Sequence, residues 1–157
     1  MLCAMDHETF MRAALEQARK AAKAGEVPVG CVVVMNQRII AAAHNMTQSL
    51  NDPTAHAEIL ALRQASQNIG DWRLDGSIVY TTLEPCVMCS GALVMSRVKK
   101  LVYALEDEKF GGSVSLFEIP EDPRLNHRVQ VIKGPLGEES AKLLKEFFKK
   151  RRRGWVL

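Results

Sequence analysis

The sequence holds 157 residues, 47% hydrophobic, 25% charged and 6% aromatic, which is the composition of a globular chain long enough to bury one sizeable core. No apolar run reaches the ~20 residues that span a bilayer, and Met1-Leu2-Cys3-Ala4-Met5-Asp6 lacks the basic and apolar stretches of a secretory signal, so the expected location is the cytoplasm. Lysine and arginine number 21 against 18 acidic residues; a net charge of +3 neither demands nor excludes nucleic acid, but Lys149-Lys150-Arg151-Arg152-Arg153 gathers positive charge at one end.

Asp6 is placed to cap a first helix whose apolar stripe is Phe10, Ala14, Ala18 and Ala21, with Gly25 and Pro28 ending it. Cys31 to Met35, a turn at Asn36-Gln37 and Ile39 to Ala43 read as a hairpin, and the β-branched, almost uncharged first run predicts a strand covered on both faces. Asn51-Asp52-Pro53-Thr54 is a turn before a second helix, about Ala55 to Gln67. Ser77 to Thr82 is the next strand, stopped at Leu83-Glu84-Pro85. A third helix starts near Cys86 and carries Val87, Leu93 and Val94 toward the core. Lys100 to Ala104 is a fourth strand, Leu105 to His127 a long irregular surface segment, and Arg128 to Ile132 a fifth strand. A basic helix, about 138–153, closes the chain with Leu143, Leu144, Phe147 and Phe148 near one face. The order predicts one α/β domain over 1–157, with helices packed on a mixed sheet.

Two short segments carry chemistry: His56-Ala57-Glu58 and Pro85-Cys86-Val87-Met88-Cys89. Each is expected at a helix start after a proline-containing turn. Cys86 and Cys89, three apart, share one helix face and can converge on one ion. A helix N-terminus lowers thiol pKa values and favours thiolates. One imidazole and two thiolates would bind Zn²⁺ and leave a fourth tetrahedral position for a water, acidified by the ion. Glu58 is not needed as a ligand and is suited to move protons between that water, a ring nitrogen and a departing amine.

Each segment alone has a plainer reading. His-x-Glu can be a solvated helix start, and Cys-x-x-Cys a redox pair, half of a structural zinc site or two core residues. Their joint occurrence, in this order, favours the catalytic site. His-x-Glu followed by Pro-Cys-x-x-Cys resembles the signature of the zinc deaminases.

Further blocks extend the resemblance to the bacterial tRNA-specific adenosine deaminase family: Glu26-Val27-Pro28-Val29-Gly30, Asp52 to Ile59, Leu62-Arg63, Thr82 to Ala92, Asn126-His127-Arg128-Val129 and Phe147 to Arg152. The signature is shared with cytosine, guanine and pyrimidine-nucleotide deaminases; the last two blocks are more particular to the tRNA enzymes. The resemblance implies a three-layer α/β/α cytidine-deaminase-like fold with a mixed five-stranded sheet, a homodimer, and hydrolysis of adenosine to inosine at the wobble position of a tRNA anticodon. It implies His56, Cys86 and Cys89 as ligands of one Zn²⁺ per subunit and Glu58 as the proton shuttle. Asn45 corresponds to the residue that hydrogen-bonds the target base, Val27 and Pro28 to the pocket wall, Asp107 and Lys109 to the anticodon-loop segment, and Phe147, Phe148, Arg151 and Arg152 to the RNA-contacting helix.

Residue chemistry leaves these outer assignments open. Asn45 can read a purine edge or be a polar turn residue. Phe147 and Phe148 can both be core, or one can stack on RNA. The basic run can bind phosphates or complement a helix dipole. His127 can contact RNA or be structural. Cys31 reads as core and Cys3 as part of a loose terminus. The chain departs from the family pattern in Leu105-Glu106-Asp107-Glu108-Lys109-Phe110-Gly111, where Glu106 and Glu108 add negative charge and Phe110 bulk. The competing functions are deamination of a free base or nucleotide, a non-catalytic RNA-binding module that keeps zinc for folding, and a redox dithiol.

Overall fold

The computed structural model describes residues 6–153; Cys3 lies outside them. Asp6 caps α1 (His7–Lys23) by accepting the Thr9 backbone N–H at 3.1 Å, and Gly25, at φ 76°, turns the chain away beyond the helix end. The buried stripe runs through Met11, Ala14, Leu15, Ala18 and Ala21. Phe10 is half-buried at its margin, its ring 5.3 Å from that of Tyr80.

β1 (Gly30–Met35) and β2 (Arg38–His44) form the hairpin, with Asn36 and Gln37 both at positive φ, the twist a two-residue turn requires. β3 (Ile78–Thr81), β4 (Lys100–Tyr103) and β5 (Gln130–Lys133) complete a sheet of order β2-β1-β3-β4-β5. β1 is antiparallel to both neighbours; β3, β4 and β5 run parallel.

The period of two along the strands sends alternate residues to two cores. On one face Cys31, Val33, Val79 and Leu101 meet Ala57, Ala61 and Ala65 of α2 (Ala57–Ile69) and Leu93 and Val94 of α3 (Val87–Met95). On the other, Val32, Val34, Tyr80 and Val102 meet Met11 and Ala14 of α1. α4 (Gly137–Arg153) enters on the α1 side, where Leu136 joins that second cluster, and touches α1. The result is three layers, helices on both faces of a mixed sheet. Side chains such as Met11, Leu15, Leu93 and Leu101 are fully buried, each stabilising the fold by ~1.5–3 kcal/mol relative to exposure.

Among the departures from the pattern-based expectation, two boundaries and one burial have a clear local cause. α2 begins at Ala57, because Asp52 closes a turn on Thr54 and keeps Ala55 and His56 out of the helix. β5 begins at Gln130, because the Val129 N–H is taken by Pro120 O at 2.8 Å. Val87 is 48% exposed rather than core-facing, since the inner face of α3 is set by Cys89, Ser90, Leu93 and Val94.

The strand directions gather one set of loops. Gly30 pairs with His44, Cys31 with Thr81, Thr81 with Tyr103 and Tyr103 with Lys133, so the start of β1 and the ends of the other four strands share one edge. The connections leading into α2, α3 and α4 all leave from that edge. Ligands of α/β sheets sit beyond the carboxyl ends of parallel strands, and this is that end.

Candidate active site and metal centre

His56 and Cys86 are the cap residues of α2 and α3, both with extended backbone and neither with a capping hydrogen bond from its side chain. A helix N-terminus ordinarily takes Ser, Thr, Asp or Asn there. Here the cap positions hold metal-type donors, turned toward each other instead of onto their own helices. Cys89, in the first turn of α3, completes the group. His56 Nδ1 lies 3.5 Å from Cys86 Sγ and 3.6 Å from Cys89 Sγ. Ordinary Zn–N and Zn–S bonds in a tetrahedron place N and S about 3.5 Å apart. The donor set therefore fits a zinc ion through Nδ1 and two sulfurs, with all donor atoms within 4.8 Å of one another.

The electrostatics of the three groups agree with this fit. Hydrogen bonding from the Cys89 thiol and from His56 pulls Cys86 down to about 4, making it the thiolate of the pair. Cys89 is pushed far up, because it donates to Cys86 and is buried. His56 is raised chiefly by its bond to Cys86, against the effect of burial. Three donors thus compete for protons where one cation would serve all of them.

Glu58 lies in the first turn of α2 and is 3% exposed. Burial raises its carboxyl above the ordinary range, offset in part by a hydrogen bond with Cys89 and by the charge of His56. A carboxyl raised in this way is suited to carry a proton as well as to accept one, as a general acid–base must.

Asn45 follows β2 directly. Its Oδ1 accepts the Ala57 N–H at 2.8 Å, so it caps α2 from outside in place of the His56 side chain. With the carbonyl committed, the amide Nδ2 remains as the group that can face a base. Val27 and Pro28 stand at the same edge, in a tight turn closed by Val29 N–H to Val27 O at 2.8 Å.

The rim has two sides. On one, Asp107 Oδ1 accepts from the backbone N–H groups of Lys109 and Phe110, a tight turn that leaves Lys109 exposed and Phe110 67% exposed. Glu106 is tied to Lys133 Nζ at 3.1 Å, so its charge there is partnered. On the other side, α4 starts beside β3, where Ser140 Oγ donates to Thr82 O at 2.7 Å. It ends beside the loop after β2, where the Arg151 guanidinium meets the Gln48 side-chain amide and can donate to it once the amide is turned with its oxygen toward the guanidinium. Arg151 also lies over the Phe147 ring, 5.4 Å from its centroid. Phe147 is half-buried, Phe148 is 41% exposed and Arg152 is exposed.

Two buried carboxylates escaped the sequence reading as site residues. Glu26, 1% exposed, accepts from Ser49 N–H at 2.8 Å and Gln48 N–H at 3.3 Å, and so holds the loop that meets α4. Glu84, 2% exposed, holds the loop that carries Asp107 and Lys109. The available signal was a lone acid beside valine or leucine and proline, in Glu26-Val27-Pro28 and Leu83-Glu84-Pro85. The Asn126 to Val129 block goes elsewhere. His127 Nε2 bonds Val98 O at 2.8 Å and Asn126 accepts from Arg97, at the opposite edge of the sheet from the metal-type donors.

Residues 5–152 match the family model of the MafB19-like deaminases. The tRNA-specific adenosine deaminase of Aquifex aeolicus is 49% identical over 148 residues, 94% of this chain and 97% of that protein. That of Bacillus subtilis is 44% identical over 146 residues, 93% and 91% of the two chains. The chain belongs to the tRNA-specific adenosine deaminase family. A solved structure from a study of A-to-I editing by tRNA:A34 deaminases at the wobble position matches this deaminase with a TM-score of 0.84 and 42% identity, covering 87% of this chain and 99% of that one. The guanine deaminase of Bacillus subtilis matches less closely, with a TM-score of 0.64 and 36% identity over 94% and 95% of the two chains. The three-layer architecture is the cytidine-deaminase-like fold.

Proposed function

We propose that this deaminase hydrolyses adenosine to inosine at the wobble position of a tRNA anticodon, using one Zn²⁺ per subunit held by His56, Cys86 and Cys89. The carrying observation is the spacing of His56 Nδ1 from two sulfurs, 3.5 and 3.6 Å, with Glu58 buried beside them. When bound, zinc supplies the Lewis acidity that brings the pKa of water toward neutrality. Glu58 takes a proton from the attacking water and delivers it to ring N1. Oxygen bonds to C6, the C6–N bond breaks, and the amine leaves as ammonia with the second proton. Atoms balance as adenosine plus water giving inosine plus ammonia.

Asn45 orients the base. Its Oδ1 is fixed on Ala57 N–H, so Nδ2 faces a purine acceptor in a defined direction. Val27 and Pro28 wall the base. Extruding a base costs a few kcal/mol in a duplex and less in a loop, where bases are already unpaired. The turn at Asp107 and Lys109 and the α4 residues Phe147, Phe148, Arg151 and Arg152 flank the entrance and take the anticodon loop, with phosphates on the basic end and a base stacked on Phe148.

The working form is a cytoplasmic homodimer. An open apolar groove between α2 and α3 supports self-association: Ile59, Leu62 and Ala92 line it, with Trp72 60% and Met95 70% exposed. Among the described residues no helix is long and apolar enough to cross a membrane.

The second reading, action on a free base, draws on the likeness to guanine deaminases. One experiment separates the two: the protein is incubated with an anticodon stem-loop bearing adenosine at the wobble position, and separately with free adenosine, guanine and cytosine. Inosine in the stem-loop with no turnover of the free compounds is expected. Turnover of a free compound with an untouched stem-loop would overturn the RNA reading.

A further inference from the structure

Glu84 stands two residues before Cys86 and is 2% exposed, yet no lysine or arginine pairs with it among the described residues. Its carboxylate is filled by one loop. Oε1 accepts the Asp107 N–H at 3.1 Å and the Ser115 hydroxyl at 2.5 Å. Oε2 accepts the N–H groups of Ser113, Val114 and Ser115 at 3.2, 2.9 and 2.9 Å. Both ends of the 107–115 loop therefore close on one anion.

The middle of the loop is fastened to the start of α3. Gly112 N–H donates to Pro85 O at 2.8 Å, and Gly111 forms a bridge with Cys86. A Cβ at Gly112 would stand 2.7 Å from the Val87 backbone, so only glycine permits this approach. Ser113 Oγ and Ser90 Oγ lie 2.8 Å apart, a further tie to α3. Between the fastened ends the turn at Asp107 projects Lys109 and Phe110 outward.

A buried charge without a cation is costly unless the donors around it are well directed. Here they are backbone amides of an irregular loop, which have no partners from regular secondary structure. The arrangement gives geometry: it fixes where the outer turn stands relative to Cys86. We propose that Glu84 is a positioning residue, which sets the Asp107–Lys109 turn at a fixed height over the metal-side residues and through it governs RNA binding. This rests on the RNA reading above.

The test is a double-mutant cycle on the holoenzyme with E84Q, K109A and both, joined by S115A as a milder change. Zinc content, kcat and KM on the anticodon stem-loop are measured, with backbone amide exchange of residues 113–115. Glutamine keeps the shape but turns an NH₂ toward N–H donors. E84Q is expected to keep zinc, to raise KM about tenfold with kcat changed less than about threefold, and to speed exchange of the three amides. K109A should raise KM in the natural background and add less than about twofold in the E84Q background. S115A should move KM the same way by less, and it carries the cycle with K109A if E84Q does not fold. Additive effects of K109A, or an unchanged KM in the Glu84 and Ser115 variants, would overturn the proposal. A natural enzyme that leaves the stem-loop unedited would instead defeat the RNA reading itself.

Discussion

The cluster of metal-type donors and the looped rim beside it are built on opposite principles. His56, Glu58, Cys86 and Cys89 sit on the first residues of two helices, and the donor atoms meet because helix starts are rigid and share one sheet edge. The rim at Asp107 and Lys109 is irregular chain, held in place by the Glu84 carboxylate and by glycine contacts distant in sequence. The donor atoms stand on regular structure, and the surrounding loops are tied down by the buried acids Glu26 and Glu84.

Breaking the cluster should have the largest effect. Cys86→Ala removes one of three proposed ligands and is expected to lose bound zinc, by more than the ~10–100-fold in affinity that loss of an outer-shell partner costs, together with deamination. Metal analysis of the purified variant checks this, and full zinc there would refute the ligand assignment.

A smaller effect sharpens the rim. Phe148→Ala should raise KM for the stem-loop by roughly fivefold or more, the scale of one base–aromatic stack, with a smaller drop in melting temperature than Phe147→Ala. Phe147→Ala should lower the melting temperature, because its half-buried ring packs against Arg151 and, at 5.4 Å, against Phe148. Thermal melts and kinetics on both variants check the pair; equal melting temperatures and equal KM values would erase the distinction between them.

The same contrast explains what could be read from the sequence. His-x-Glu and Cys-x-x-Cys fix their own geometry within one helical turn, so residue order alone points to a convergent donor set. The covered strand Cys31 to Met35 was legible from its β-branched run. Val87 was not, because whether a residue in a first helical turn faces in or out depends on where the helix starts. The tie from Asn45 Oδ1 to Ala57, the Glu26 and Glu84 anchors and the seat of Arg151 on Gln48 are contacts between segments far apart in sequence, and no local pattern encodes them. The Asn126 to Val129 block was read through family likeness as a mark of the tRNA enzymes, with contact to RNA or a structural place both open for His127; its ring fastens the approach to β5 to the α3–β4 connection.

The role proposed for Glu58 is to move protons at a zinc site it does not help to hold. Glu58→Ala, assayed on the anticodon stem-loop with zinc measured in the same sample, tests it most directly. About one zinc per chain with deamination reduced at least about a hundredfold is the expected result, on the scale of a lost general acid–base. Wild-type rates of inosine formation, or loss of the metal along with the activity, would contradict the account.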